Sequence, residues 1–146
     1  MELQYIKAVP EDAGILFDFN KELIDTYEDR GSIYYEGVLS WIRRKLEKKI
    51  DEYVCITVDG RKAAWYRFAP SEGEMELDDL YVLPEFRGQG IGTQIIEKCC
   101  SETNLPVFLY VFSRNTGAVR LYERLGFQIA EEVGGTRYIM RRVRNK

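Results

Sequence analysis

Histidine is absent from the 146 residues of this chain, and cysteine occurs only three times. Without histidine the commonest general base of enzymes is missing, and with it every Ser-His or Cys-His scheme of nucleophilic catalysis. Acid–base chemistry must then be carried by carboxylates and tyrosine. This favours a reaction in which a cofactor brings the activated group and the protein supplies position and polarity.

The cysteines, Cys55, Cys99 and Cys100, are odd in number and show no C-x-x-C spacing. They predict neither a disulfide framework nor a zinc site, and no metal is expected. No apolar run approaches the roughly 18 residues of a membrane span. The first residues, MELQYIKAV, also lack the long apolar segment of a signal peptide. These absences predict a cytoplasmic protein without a membrane partner.

The charge of the chain gives no reason to expect a nucleic-acid partner. The formal net charge is −3, and 31% charged with 45% hydrophobic residues is the composition of a soluble globular protein. We interpret a basic run at residues 43–49 as the solvated face of a helix, because binding to a phosphate backbone requires a clustered positive surface. At this length, residues 1–146 are expected to form one domain with its own core.

Periodicity and turn residues predict the element order βααβββαβαββ. The strand at residues 107–112, VFLYVF, is apolar on both faces and is predicted to be buried. It follows the strand ending at Leu83 through a helix, so the two should run parallel. The first helix is expected to start at Pro10 and end near Gly31. The predicted fold class is α/β (α+β), with a mixed, mostly antiparallel central sheet.

A glycine-rich turn, R-G-Q-G-I-G at residues 87–92, separates the strand ending at Leu83 from the next helix. Free N–H groups and the positive end of the helix dipole make such a helix N-terminus a site for phosphate or pyrophosphate. Arg87 adds a positive charge beside it. The spacing fits neither a P-loop nor the G-x-G-x-x-G dinucleotide fingerprint.

Two spaced motifs resemble those of the GCN5-related N-acetyltransferases, the GNAT superfamily. The turn R-G-x-G-I-G, preceded by L-Y-V-L-P-E-F at residues 80–86, resembles the acyl-coenzyme A loop of that family. Residues 115–127, N-T-G-A-V-R-L-Y-E-R-L-G-F, look like the family segment N-x-x-A-x-x-x-Y-x-x-x-G-F. The resemblance covers essentially the whole chain and implies the acyl-CoA N-acyltransferase (GNAT) fold.

What the resemblance implies is transfer of an acetyl group from acetyl-coenzyme A to a primary amine, by direct attack through a tetrahedral intermediate. The glycine-rich turn would bind the pyrophosphate through main-chain N–H groups. The strand at Tyr81 and Val82 would pair with the pantetheine arm, and the N–H near Val82 would hydrogen-bond the thioester carbonyl. The cofactor-binding residues implied are Tyr81, Val82, Arg87, Gly88, Gln89, Gly90, Ile91, Gly92, Thr93 and Asn115.

Two residues match catalytic positions of the family. Tyr122 matches the tyrosine that protonates or hydrogen-bonds the departing thiolate, although periodicity alone places it on the apolar stripe of its helix. Glu76 matches a strand glutamate used as base in some members, and Glu74, Asp78 and Asp79 are further candidates. The alternative is a row of solvated carboxylates, interrupted if a bulge breaks the alternation of the strand.

The acceptor amine and the partners remain open at this point. Acidic residues would favour a cationic amine if Asp25, Glu28, Asp29, Glu36, Asp78 and Asp79 converge. The alternative function is a non-catalytic acetyl-coenzyme A-binding sensor or interaction module, because a fold and a cofactor loop do not guarantee turnover. A third hypothesis is an interaction protein that uses Tyr34, Tyr35 and Trp41. A homodimer is compatible with each of these functions.

Overall fold

The computed structural model describes residues 1–143, apart from the side chain of Ser32. Within this range the chain forms seven strands and four α-helices in the predicted order. The strands are β1 (Gln4–Lys7), β2 (Tyr53–Val58), β3 (Arg61–Ser71), β4 (Glu74–Val82), β5 (Val107–Phe112), β6 (Gln128–Val133) and β7 (Arg137–Arg142). The helices are α1 (Asp12–Tyr27), α2 (Tyr35–Lys49), α3 (Ile91–Ser101) and α4 (Thr116–Arg124).

The strands form one mixed sheet in the order β1-β2-β3-β4-β5-β7-β6. β4 and β5 run parallel through the pairs Met75↔Val107 and Glu76↔Phe108. Antiparallel pairing joins β1 to β2, β2 to β3, β5 to β7 and β6 to β7. This confirms the predicted fold class, including the parallel pair across the glycine-rich turn and its helix.

The chain divides into two compact units. The first unit comprises residues 1–67 and 79–91, and the second comprises residues 68–78 and those from 92 onward. Fully buried side chains of the first unit include Leu16, Leu46 and Trp65, whereas Ile95 and Phe127 are among those of the second. The organisation of the chain as one domain stays a prediction.

In the first unit, α1 ends earlier than the sequence suggested. The prediction that this helix ends near Gly31 is wrong, because the helix stops at Tyr27 and a short 3-10 turn follows at Arg30–Ser32. The side chain of Asp29 accepts a hydrogen bond from the N–H of Gly31 at 3.1 Å. Such a local bond between side chain and backbone competes with helical pairing.

In the second unit, β5 is buried on one face only. Val107, Leu109 and Val111 are buried, whereas 48% of Tyr110 is exposed, so the prediction of a strand buried on both faces is wrong. β5 pairs along its whole length with β7 in antiparallel register, from Val107 to Phe112. It therefore alternates between faces as strands of antiparallel sheets commonly do.

The cysteine side chains are all buried and none forms a disulfide. Burial raises the pKa of the Cys55 thiol to about 11 and also raises the pKa of Cys100. Across residues 1–143, no helix has the length and apolar character needed to cross a membrane. In the same range, no group of three or more His, Cys, Asp or Glu residues is arranged to hold a metal ion.

Candidate functional site

The glycine-rich turn owes its glycines to backbone conformation. Gly88 and Gly90 have φ values of +77° and +81°, in the left-handed region that other residues rarely adopt. A Cβ atom built at either position would meet no atom within 4 Å, so packing does not explain the glycines. Both residues are exposed. The turn therefore presents bare backbone to the solvent, as an anion-binding nest requires.

The turn leads directly into α3, whose first residue, Ile91, is only 2% exposed. Gly92 follows in the first helical turn with a negative φ, and open space surrounds its missing Cβ. The first N–H groups of a helix have no partner within the helix, and no acidic side chain occupies this first turn. Backbone donors, a positive dipole end and missing side chains together suit a phosphate or pyrophosphate group.

The side chain of Arg87 folds back onto the end of β4. Its Nε donates a hydrogen bond to the carbonyl oxygen of Val82 at 3.0 Å, and its guanidinium carbon lies 5.9 Å from the centre of the Tyr81 ring. The Nε2 of Gln89 makes a longer hydrogen bond, 3.4 Å, to the carbonyl of Glu85. Arg87 thus links the predicted pyrophosphate loop to the strand residues predicted to pair with the pantetheine arm.

Aromatic packing fixes the end of β4 within the first unit. The Tyr81 ring stacks on Phe19 of α1, with ring centres 4.4 Å apart, and lies nearly parallel to Trp65 at 6.2 Å. Two residues earlier, Asp79 has a φ of +53° in the middle of the strand. This left-handed residue interrupts the alternation of β4, as a bulge would.

Side chains from other elements contact the carboxylates of Glu74 and Asp79 on β4. Both oxygens of Glu74 accept hydrogen bonds from Arg141, at 2.7 and 3.4 Å. Asp79 accepts a hydrogen bond from the Tyr53 hydroxyl at 2.6 Å and lies 3.8 Å from the Nζ of Lys45. Glu76 is half-buried and stands opposite Phe108 in the parallel register.

In the second unit, Asn115 immediately precedes α4 and Tyr122 lies within it. Asn115 is the N-cap, and its Oδ1 accepts a hydrogen bond from the N–H of Ala118 at 3.4 Å. Tyr122 is half-buried, with its ring centre 5.9 Å from that of Phe127. Burial raises the pKa of Tyr122 to about 12, so its hydroxyl keeps its proton throughout the neutral range.

Each unit holds part of the predicted set. Tyr81, Val82 and the turn from Arg87 to Ile91 lie together in the first unit, whereas Glu76, Gly92, Thr93, Asn115 and Tyr122 belong to the second. Sequence reasoning missed Phe19 and Trp65, whose rings lie beside that of Tyr81, and Tyr53, whose hydroxyl donates a hydrogen bond to Asp79. Their contacts come from distant segments, and no local motif marks them. The indole Nε1 of Trp65 is buried and has no partner among residues 1–143.

The predicted interaction residues at the start of α2 and within it differ in exposure. Tyr34 and Trp41 are 79% and 58% exposed, whereas the Tyr35 hydroxyl donates a hydrogen bond to Asp25 at 2.7 Å. Asp25 also pairs with Lys21, and hydrogen bonds from these two partners lower the pKa of its carboxyl. At least part of the predicted acidic cluster is therefore neutralised by neighbouring side chains.

Known proteins resemble this chain in sequence. An uncharacterised N-acetyltransferase of Methanocaldococcus jannaschii is 29% identical over 143 residues, covering 88% of this chain and 63% of the relative. The thialysine N-epsilon-acetyltransferase of Mus musculus is 43% identical over 67 residues, covering 40% of this chain and 37% of that enzyme. The chain thus spans less than two thirds of the length of either relative.

Solved structures share the fold over nearly the whole chain. The PaiA N-acetyltransferase of Thermoplasma acidophilum, in complex with coenzyme A, has a TM-score of 0.70 at 22% identity and covers 99% of this chain and 100% of its own. A GNAT-family acetyltransferase from Streptococcus agalactiae reaches 0.74 at 14% identity, covering 99% of this chain and 96% of its own. At these identities the structures establish the fold alone.

The sequence pattern of one family extends across both motifs. The model of the Acetyltransferase (GNAT) family matches residues 16–127, which begin within α1 and end just before β6. This span contains the left-handed glycines, the start of α3, the N-cap Asn115 and Tyr122. The chain therefore belongs to the GNAT family of acetyltransferases.

Proposed function

We propose that this protein is an acetyl-coenzyme A-dependent N-acetyltransferase that acetylates a primary amine. The observation that supports this most is the turn at residues 87–92, where two left-handed glycines lead into a helix without acidic residues in its first turn. For a member of the GNAT family, the anion expected at such a turn is the pyrophosphate of acetyl-coenzyme A. The backbone N–H groups of the turn and of the first residues of α3 are assigned to it.

The proposed reaction forms a bond between the amine nitrogen and the thioester carbon, and breaks the carbon–sulfur bond. The N–H of Val82 is assigned to the carbonyl oxygen, on which negative charge develops. A donor fixed in this way stabilises the transition state by about 3–4 kcal/mol in other acyl-transfer enzymes. The stacking of Tyr81 on Phe19 and the hydrogen bond from Arg87 to the Val82 carbonyl support a rigid backbone at this point.

Tyr122 is assigned to the departing sulfur. Its pKa of about 12 keeps the phenol protonated, so the O–H group is available to donate to the thiolate at neutral pH. The same shift makes the phenol a weaker acid than a solvated tyrosine. We therefore favour a hydrogen bond from Tyr122 to the sulfur during bond cleavage over complete proton transfer to it.

Glu76 is assigned as the base that accepts the proton of the amine, directly or through water. Glu76 matches the strand position that the family uses as a base in some members, and its half-buried side chain supports this choice. Asp78 is another carboxylate of β4. Glu76→Gln should therefore lower kcat near neutral pH more than Asp78→Asn does.

The acceptor is proposed only as a chemical class. The mouse relative is named for acetylation of the ε-amine of thialysine, and its similarity covers 40% of this chain. From this relative we infer only that the acceptor is a primary alkyl amine, and we name no individual substrate. The cytoplasmic location and the possible homodimer stay predictions.

Thermal unfolding with acetyl-coenzyme A, coenzyme A or NAD tests the cofactor assignment first. A ligand at one hundred times its dissociation constant stabilises the folded protein by about 2.7 kcal/mol. Acetyl-coenzyme A should raise the melting temperature and NAD should not. No shift with acetyl-coenzyme A would contradict the assignment of the turn.

Release of free thiol in the presence of a panel of primary amines then tests for turnover. In an enzyme, Tyr122→Phe should lower turnover and leave acetyl-coenzyme A binding intact. Binding without turnover on any amine would favour the non-catalytic sensor instead.

A further inference from the structure

Asp79 has an unusual backbone conformation for its place in the chain. Among non-glycine residues, Asp59, Glu72 and Asp79 have positive φ values. Asp59 and Glu72 precede glycines in the turns that flank β3, where left-handed residues are common. Asp79 instead lies inside β4, three residues before the strand ends. A left-handed residue inside a strand persists only where its surroundings hold it.

The side chain of Asp79 is held from two other elements of the first unit. The buried Tyr53, at the start of β2, donates its hydroxyl to Oδ2 at 2.6 Å. Lys45 of α2 places its Nζ 3.8 Å from the same oxygen. The side chains of Asp79 and Lys45 are only 10% and 19% exposed, so solvent weakens this pair less than it would on an open surface.

The conformation of Asp79 determines how the following peptide groups point. The φ and ψ angles of one residue set the direction of the next N–H and C=O groups, and a change from the left-handed to the extended region would rotate them. The next residues, Leu80 to Val82, include the N–H group assigned to the thioester carbonyl. Tyr81 is fixed by its ring stacking, but that contact does not set the angles of Asp79.

We propose that Tyr53 and Lys45 clamp the carboxylate of Asp79, and that this clamp positions the backbone N–H of Val82 for acyl transfer. Tyr53, Lys45 and Asp79 are thus positioning residues that act through the main chain of β4 and do not touch the substrate. The inference rests on the proposed function, because it concerns the same backbone donor.

Two substitutions separate the carboxylate contact from the backbone conformation. Tyr53→Phe removes the hydroxyl and keeps the buried ring. Asp79→Gly removes the carboxylate while allowing the positive φ, because glycine adopts that region without strain. Both should lower kcat by about tenfold to a hundredfold, the range expected for a small misplacement of a catalytic group. The KM for acetyl-coenzyme A should change little, because an interaction made only in the transition state is lost.

Asp79→Asn is the conservative variant. Asparagine tolerates the left-handed region and keeps an oxygen that accepts the Tyr53 hydroxyl. It should therefore retain kcat close to the wild-type value, well above Asp79→Gly. Tyr66→Phe is the matched control, because it removes the hydroxyl of another buried tyrosine, on β3, whose ring contacts Tyr5. This control should leave kcat unchanged.

The amide resonances of Leu80, Tyr81 and Val82 in isotope-labelled protein give a readout that needs no activity. They should shift in Tyr53→Phe and Asp79→Gly, and stay in place in Tyr66→Phe. Unchanged kcat in both clamp variants would overturn the proposal while leaving the proposed function intact, and so would a loss of kcat with unmoved amides. If the wild-type protein transfers no acetyl group, the proposed function and the catalytic part of this inference both fail. The amide shifts then decide whether the clamp itself exists.

Discussion

Gly92→Ala should stabilise the protein and weaken its binding of acetyl-coenzyme A. Gly92 lies in the first turn of α3 with a negative φ, and a Cβ built there meets no protein atom within 4 Å. Alanine in a helix is more favourable than glycine by about 0.5–1 kcal/mol. For a domain of this size that amounts to a rise in melting temperature of about 1–4 °C without ligand.

The stabilisation caused by acetyl-coenzyme A should be smaller in this variant than in the wild-type protein. Acetyl-coenzyme A at one hundred times its dissociation constant stabilises the wild-type protein by about 2.7 kcal/mol. If the new methyl group meets the pyrophosphate and raises the dissociation constant a hundredfold, only about 0.4 kcal/mol remains at the same concentration. The shift caused by the ligand would then fall from about 5–10 °C to about 1 °C.

Gly14→Ala is the matched control for this experiment. Gly14 also lies in the first turn of a helix, α1, with open space at its Cβ position. It should gain similar stability and keep the full ligand shift, both measured by thermal unfolding with and without acetyl-coenzyme A. A full ligand shift in Gly92→Ala would show that the coenzyme does not bind against the start of α3, and the reasoning from bare backbone would be refuted.

Substitutions at three further positions test other parts of the structure. Tyr122→Phe should flatten the pH dependence of stability at alkaline pH. Tyr122 has a pKa of about 12 in the folded protein, whereas a tyrosine in the unfolded chain has a pKa near 10. The free energy of unfolding of the wild-type protein should therefore fall as the pH rises from about 10 to about 12. Denaturant titrations at about pH 9 and 11 compare the two proteins. Asn115→Ala should lower the free energy of unfolding by about 1 kcal/mol through loss of the cap, and Asn115→Ser should restore most of it. Gly90→Ala, at a φ of +81°, should lower it by about 1–2 kcal/mol, and a melting temperature equal to that of wild type would contradict the assigned conformation.

Local signals in the sequence were sufficient for the order of the elements and for several local features. β5 begins and ends at the predicted residues 107–112, because an apolar run defines both ends. Asn115 caps α4 as an N-cap residue should, and Gly88 and Gly90 adopt the left-handed conformations for which glycine is suited. Each of these features depends on neighbours within a few positions.

The features that were missed depend on long-range contacts or on competition between nearby groups. Tyr53 and Asp79 are 26 positions apart, and nothing in either segment indicates that they meet. α1 stops at Tyr27, and the Asp29 side chain then accepts a hydrogen bond from the backbone N–H of Gly31. The helical pattern of apolar residues gives no sign of this bond. Tyr110 is exposed because β5 has the alternating environment of an antiparallel strand, although its composition is typical of a fully buried one.

Because its cysteines are buried, we expect the native protein to react slowly with thiol reagents. The thiolate is the nucleophile that attacks such reagents, and burial raises the pKa values of Cys55 and Cys100, so that these groups stay protonated near neutral pH. Coenzyme A released during turnover can therefore be followed with a thiol dye in the presence of the folded enzyme. Unfolding would expose all three thiols of the chain at once. The same dye can therefore be used to measure unfolding of the protein.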